Sequence, residues 1–388
     1  MSSGSAAAPS IIYLGMDVHK DSITIAVLPM GAKAPTHLER LPNELPKLKR
    51  YLERLARQGE LRSCYEASGA GYVLHRALRE WGYACEVIAP SLIPKRPGVQ
   101  RKHDKRDAAE LARLYRAGEL TAVRIPTEAE ERVRDVVRCR ETFQREILKS
   151  RHYILKFLAR RGFVFRDGTN WCTPHLRWLE HLTSEQSPLT PPDRLVFREY
   201  HALLAYKLER REELDRQIEQ LALLPTLAPV VARLQCFRGI ALQGAMVLAT
   251  EIGDWRRFAR PGQLAAYLGL VCREDSSGAR ERKGSITKAG NSHCRHVLVQ
   301  AAWCYHYRPH LSVEIRRRQQ GQPPAVIAHA WKAQQRLHQR YEHLSYRKLP
   351  QIAVVAIARE LVGFLWAVMQ DVSTDLSTDV STPAATAA

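Results

Sequence analysis

The chain has 388 residues, 45% hydrophobic and 26% charged, ordinary for a globular protein and long enough for two or three domains. Its 59 Lys and Arg against 40 Asp and Glu give a formal net charge of +19; a field of that sign concentrates polyanions, nucleic acid first among them, and no basic amphipathic segment or lipidation signal directs it to a membrane surface instead. The eight cysteines include no C-x-x-C pair, MSSGSAAAPS has no signal-peptide pattern and no apolar stretch reaches transmembrane length, which excludes zinc ligation by spacing and points to free thiols in a reducing cytoplasm.

Residues 1–10 are rich in Ser, Ala and Gly and are expected to be disordered. The β-branched runs IIYLGMDV (11–18) and SITIAVL (22–28) flank the polar turn HKD and predict a hairpin. A third strand is expected near 36–41, a helix over 43–58, a strand over 61–66, a helix near 71–81, a strand over 84–89 and a helix over 105–117 that stops at Gly118. That order predicts a mixed-sheet α/β domain over 11–125. Two long helical stretches follow, 128–161 and 194–222. Val133, Val136, Phe143, Ile147, Ile154 and Leu158 recur at helical spacing in the first, and Leu204, Leu208, Ile218 and Leu221 in the second, with Arg140 and Arg211 interrupting the stripes. With the Pro-rich SEQSPLTPPD between them they predict a helical hairpin or coiled coil over 126–225, each helix roughly 50 Å long. From 226 to 370 the pattern is mainly helical, strongest over 242–252, 289–306, 325–344 and 350–369, and the polar tail 371–388 is expected to be unfolded.

Four carboxylates stand out. Asp17 lies in an apolar strand, where an ionised group is costly unless compensated. Glu66 ends another strand just before Ala-Ser-Gly. Asp104 and Asp107 share a helix face and continue one stripe with Leu111 and Leu114, which turns them towards the sheet. Clustered carboxylates repel one another and imply bound cations. Oxygen-only ligands suit Mg²⁺ or Mn²⁺, and two such ions about 4 Å apart clamp the attacking and leaving oxygens of a phosphodiester. The plainer reading is a strand end and a helix cap; the combined placement favours the metal site.

At these residues the sequence resembles a known family. YLGMDVHKDSITIAVL, CYEASGAGYVLHRALREWGYACEVIAP and KHDKRDAAELARLYRAGELTAVRIP resemble the RuvC-like, ribonuclease-H-fold domain of the DEDD transposases of the insertion-sequence 110 family. LAAYLGLVCREDSSGARERKGSITKAGNSHCRHVLVQAAW resembles that family's C-terminal transposase domain, and the likeness runs over roughly 11–310. It implies that Asp17, Glu66, Asp104 and Asp107 are the four family acids, and that the catalytic serine is Ser277, with Ser276 as the alternative. It further implies a phosphoserine link to DNA, a structured bridge RNA that pairs with donor and target DNA, and a dimer or tetramer with composite active sites. The chain departs from the family at His103, beside Asp104, and at Arg238 and Ala241, where Pro and Gly are usual.

The loop from Asp275 to Asn291 combines glycine and alanine breaks with Arg280, Arg282, Lys283 and Lys288, which suits phosphate contact. Residues 132–161 hold ten Arg or Lys against three acids, an excess that favours nucleic-acid backbone; Arg138, Arg145 and Lys149 are the expected contacts. Lys332, Arg336, Arg340, Arg347 and Lys348 lie among Trp331, Tyr341 and Tyr346, which suits looped RNA or equally an amphipathic helix. The expectation is a bridge-RNA-guided DNA transposase of the cytoplasm, associated with the nucleoid when active. The alternatives are a junction-resolvase-like nuclease using metal-activated water and a non-catalytic nucleic-acid-binding protein. An actin-like sugar kinase lacks its second D-x-G phosphate motif here.

Overall fold

A computed structural model describes residues 10–94, 104–277 and 280–372, without the side chains of 104–105, 274–277 and 280–283. The expectations for His103 and for the two tails lie outside the described residues, apart from Ser10, Asp371 and Val372. The chain forms two compact units that meet at Ile125 and Pro126.

The first unit runs β1 (Ile11–Val18), β2 (Ser22–Pro29), β3 (His37–Pro42), α1 (Leu45–Ala56), β4 (Glu60–Glu66), α2 (Val73–Glu80), β5 (Ala84–Ile88) and α3 (Asp104–Ala117). Among the described residues the strands form one five-stranded sheet in the order β3-β2-β1-β4-β5. The β1–β2 and β2–β3 pairs are antiparallel, and β1–β4 and β4–β5 are parallel.

Strand alternation divides β1 between the two faces. Ile12, Leu14 and Met16 join Ile23, Ile25, Leu61 and Tyr65 in a core covered by Leu48 and Leu52 of α1 and Leu74 and Leu78 of α2. Tyr13, Gly15 and Asp17 face the other way, towards α3. There Ala108 and Ala112 pack with Ala26 and Leu28, Leu111 packs with Cys64 and Ile88, and Tyr115 meets Tyr13 edge-on at 5.9 Å. Gly15 permits the contact: a Cβ there would sit 2.2 Å from the carbonyl oxygen of Ala108 and 2.4 Å from the nitrogen of Ala112. The helix runs antiparallel to β1. Arg116, near its C-terminal end, donates to the carbonyls of Met30 (3.4 Å) and Ala32 (2.5 Å), and the Met30 N–H donates to Ile11, where β1 begins.

The second unit opens with α4 (Glu128–Ala159), α5 (Thr173–Thr183) and α6 (Pro191–Leu221). A capping box between Thr127 and Glu130 starts α4. Ile147, Ile154, Phe157 and Leu158 of α4 pack with Leu179 and Leu182 of α5 and Phe197 and Leu204 of α6. The two arginines that interrupt the apolar stripes both reach Asp215 of α6, Arg140 at 2.8 Å and Arg211 at 3.6 Å. The short α5 was not expected; Leu179 and Leu182, with Trp178 beside them, mark its apolar face.

The rest is α7 (Ala228–Gln235), α8 (Leu242–Ile252), α9 (Pro261–Tyr267), β6 (Cys272–Ser277), β7 (Arg280–Ile286), α10 (Ser292–Trp303), α11 (Val313–Gln319), α12 (Pro324–Ser345) and α13 (Pro350–Ala367). Two expectations are corrected here. The segment from Asp275 to Asn291 is not a loop: its residues 275–277 and 280–286 belong to the two-stranded β6–β7 sheet. The strand sequences, CREDSS and RERKGSI, are mostly charged and polar and lack the apolar alternation that marks a strand. The chain also has a helix, α13, that is long and apolar enough to cross a membrane, with 18 residues of mean hydropathy 1.4. That composition serves the core, since Val354, Ile357, Leu361 and Leu365 are buried in it.

Replacing Gly15 by alanine is expected to force α3 off the sheet and to cost roughly 1–3 kcal/mol of stability, as overpacking does. Gly31→Ala, with nothing within 4 Å of the added carbon, should change stability by less than about 0.5 kcal/mol. Thermal and urea unfolding of the two variants side by side measures the difference.

Candidate active site

Sheet register brings two of the acids together. The parallel β1–β4 ladder pairs Gly15 with Cys64 and Met16 with Tyr65. Asp17 and Glu66 follow next, at the same end of adjacent strands whose backbones are about 4.8 Å apart. Gly15 and Cys64 face α3, so by alternation Asp17 and Glu66 do as well. Because α3 is antiparallel to β1, its first turn arrives at this end. Asp107 stands one turn before Leu111, which packs on Cys64, and Asp104 stands one turn before Ala108, which packs on Gly15.

The environments differ. Asp107 is half-buried, and its Oδ2 is buried with no hydrogen-bond partner among the described residues. Asp17 is 17% exposed, with Oδ2 3.2 Å from His19 Nε2, and it stands opposite the buried Thr24 in the β1–β2 ladder. Glu66 is exposed. The side chain of Asp104 lies outside the described set. No group of three or more His, Cys, Asp or Glu is gathered into a metal site among the described residues. An oxygen-only donor set with a buried, unbonded carboxylate oxygen nevertheless suits a hard divalent cation, because a buried charge needs a partner. Asp17, Glu66 and Asp107 are the described residues that could hold one. His19 was missed in the sequence; the signal was its position two residues after Asp17, just past the end of β1.

The serine segment forms the far end of the β6–β7 hairpin. Ser277 pairs with Arg280, Ser276 with Glu281 and Asp275 with Arg282. The side chains of Ser276, Ser277, Arg280, Arg282 and Lys283 are outside the described set. Lys288, exposed at the exit from β7, has a left-handed backbone with φ of 55°, a conformation that costs a non-glycine residue energy.

Several cations of α4 serve the unit itself. Arg138 makes a two-point contact with Glu251, at 2.6 and 2.9 Å. Arg134 donates to the carbonyl of Thr250, and Arg151 lies over the ring of Trp171 at 4.9 Å. Arg145 is exposed and donates to Thr142 Oγ1 at 2.9 Å. Lys149 donates to Glu146 at 2.7 Å, which pushes the Lys149 ammonium up and holds the Glu146 carboxyl below its ordinary range. Lys156 and Arg160 are exposed.

Comparison with known proteins places both regions. A DEDD transposase model of the insertion-sequence 110 type matches residues 14–161, and the model of the transposase IS116/IS110/IS902 family matches residues 231–312. The Sinorhizobium fredii protein y4qE is 37% identical over 362 residues, covering 92% of this chain and 88% of its own. The transposase for insertion sequence element IS1533 of Leptospira borgpetersenii is 30% identical over 342 residues, covering 87% of this chain and 97% of its own. The chain belongs to the IS110 family of transposases. It is therefore an enzyme that acts on DNA, and its DEDD domain implies a ribonuclease-H-like fold and the use of a divalent metal. The transposase for IS1111A of Coxiella burnetii, 27% identical over 242 residues, covers 61% of this chain and 64% of its own.

Mg²⁺ added to this transposase at about a hundred times its dissociation constant is expected to stabilise the fold by about 2.7 kcal/mol, the mass-action value for one site. Asp107→Asn should remove most of that gain while raising stability without metal, since it relieves repulsion among the acids. Melting curves with and without Mg²⁺ test both; an undiminished Mg²⁺ gain in the variant excludes Asp107 as a ligand.

Proposed function

We propose that this transposase cleaves and rejoins DNA with Ser277 as nucleophile, assisted by Mg²⁺ or Mn²⁺ on the DEDD carboxylates, and that a structured bridge RNA selects its donor and target DNA. The reading divides the chain into a RuvC-like domain over 11–125, a coiled-coil arm over 126–225 and a C-terminal transposase domain over 226–370. The observation that carries it is that all four acids fall in one family-matched segment and the D-S-S-G sequence in the other. Ser277 is preferred to Ser276 because it stands opposite Arg280 in the ladder, whereas Ser276 stands opposite Glu281; a phosphate is drawn to the cation.

In the proposed step the Ser277 hydroxyl oxygen forms an ester to phosphorus. One phosphorus–oxygen bond to deoxyribose breaks, and the serine proton passes to the leaving oxygen. The ester keeps the bond energy, so the reverse attack by a deoxyribose hydroxyl rejoins DNA without ATP. A serine hydroxyl is a weak nucleophile, and a divalent cation, when bound, supplies charge neutralisation for the reacting phosphate. Asp17, Glu66, Asp104 and Asp107 would hold it. Arg145, Lys149, Arg280, Arg282, Lys283 and Lys288 are assigned to nucleic-acid backbone. The active form is a dimer or tetramer, as the family likeness implies.

The test uses the purified protein with its co-purifying RNA and DNA carrying the element's ends. Ser277→Ala should lower the protein–DNA adduct seen on denaturing gels at least about a thousandfold, as loss of a nucleophile does, while Ser276→Ala retains it. An adduct that survives in Ser277→Ala sinks the nucleophile assignment. Free DNA ends with no adduct in the unaltered protein favour metal-activated water instead. Sequencing the bound RNA tests guidance: one structured species is expected, and a random population counts against it.

A further inference from the structure

The β6–β7 hairpin pairs with no other strand among the described residues. A two-stranded ribbon is marginally stable alone, and this one carries few apolar residues. Its direction must therefore come from its base. Close backbone packing brings residues 267–271 against 287–291. The Thr287 N–H donates to Val271 and the Lys288 N–H to Gly269. Gly269, with φ of 65°, leaves room for Ala289: a Cβ there would lie 2.1 Å from the Ala289 carbonyl oxygen. Gly290, with φ of 87°, does the same for Tyr267, whose carbonyl oxygen would be 2.0 Å from an added Cβ.

On the β6 side, Leu268 and Leu270 are buried in the core of the unit. On the β7 side the tie is polar and runs through Glu251 of α8, whose side chain is 2% exposed. Asn291 Nδ2 donates to Glu251 Oε2 at 2.7 Å, and Asn291 Oδ1 accepts the Cys294 N–H that opens α10. Arg138 of α4 closes on both Glu251 oxygens, and the Tyr267 hydroxyl donates to the Glu251 carbonyl. Burial alone would raise the Glu251 carboxyl, but the hydrogen bonds from Arg138 and Asn291 and the charges of Arg138 and Arg134 hold it below its ordinary range.

We propose that Glu251, with Arg138 and Asn291, forms a positioning triad that directs the β6–β7 hairpin and thereby aims Ser277, at the end of β6, at the scissile phosphate. The aiming role rests on the reading of Ser277 as nucleophile; the anchoring of the hairpin does not. None of the three residues touches substrate in this role. Arg138, expected from the sequence to grip nucleic acid, is thus assigned inward.

Two variants test this in the full-length protein with its RNA. Glu251→Gln keeps the shape and removes the charge. Asn291→Ser keeps the α10 cap, for which serine is well suited, and is too short to reach Glu251. Both are expected to speed amide hydrogen exchange across 272–286 about tenfold or more, with exchange in α12 and α13 unchanged. Adduct formation in single-turnover assays should slow about a hundredfold, the scale of a 1 Å misplacement, with DNA affinity within about twofold. Arg138→Lys, which keeps the charge and loses the two-point contact, should fall between these variants and the unaltered protein. Unchanged exchange in the hairpin overturns the proposal, and so does an equal rise in α13, which would mark general destabilisation. A loosened hairpin with an undiminished adduct rate overturns the aiming role and leaves Ser277 standing. A loosened hairpin in a protein whose unaltered form makes no adduct upholds the anchor and removes Ser277 instead.

Discussion

The acidic end of the first unit depends on one contact, the backbone of α3 resting directly on Gly15. Two periodicities run together from that point. A helical turn advances about 5.4 Å and two strand residues advance about 6.7 Å, so successive turns of α3 meet successive inward positions of β1. Tyr115 meets Tyr13, and Ala108 and Ala112 meet Gly15. The next step of the same ladder brings the first turn of α3, with Asp104 and Asp107, to the end of β1 where Asp17 stands. Glu66 joins through strand pairing alone. A bulkier residue at position 15 would lift the helix and move two of the four acids away from the other two. The small residues at 15, 108 and 112 therefore set where the carboxylates stand as much as the strands that carry them.

The net charge of +19 is not all available to a polyanion. In α4 the arginines at 134, 138 and 140 are committed to Thr250, Glu251 and Asp215 of the same unit. These are buried or half-buried contacts, where a charge without a partner is expensive. Lys156 and Arg160 remain exposed on the helix, beside Arg145 and Lys149 with their light local contacts. The basic surface of this helix is thus narrower than its sequence suggests.

How much was legible follows from which signals each element carries. β1 and β2 run apolar over most of their length, and the structure has every expected element of that unit within about two residues. The long helices were readable from their stripes, and the arginines that broke those stripes proved to share Asp215. What escaped was polar: a hairpin whose sequence is mostly charged and polar, a histidine beside Asp17, and a triad whose members lie at positions 138, 251 and 291. Periodicity reports burial of apolar surface, and it is silent where a fold is held by directional polar contacts between distant residues. The inward stripe of α3 could be read only because Asp107 borrows its register from Leu111 and Leu114.

The two regions are held by different physics, and this bears on what each can do. The acids sit where strand pairing and close backbone contact leave little freedom, which suits ligands that must keep fixed distances to a cation. The hairpin has scarcely any core of its own. Its β7 side is tied by a buried carboxylate that is satisfied only while Arg138 and Asn291 both remain in place. Such a network is directional, and leaving it partly satisfied is worse than having none. Well-packed apolar residues at 138 and 251 could match it in stability, as happens when buried ion pairs are replaced elsewhere. They would leave Asn291 without an acceptor and the ribbon without a fixed direction. In the proposed role the buried pair contributes orientation rather than stability, which is the property a slender hairpin requires if it is to hold a fixed direction.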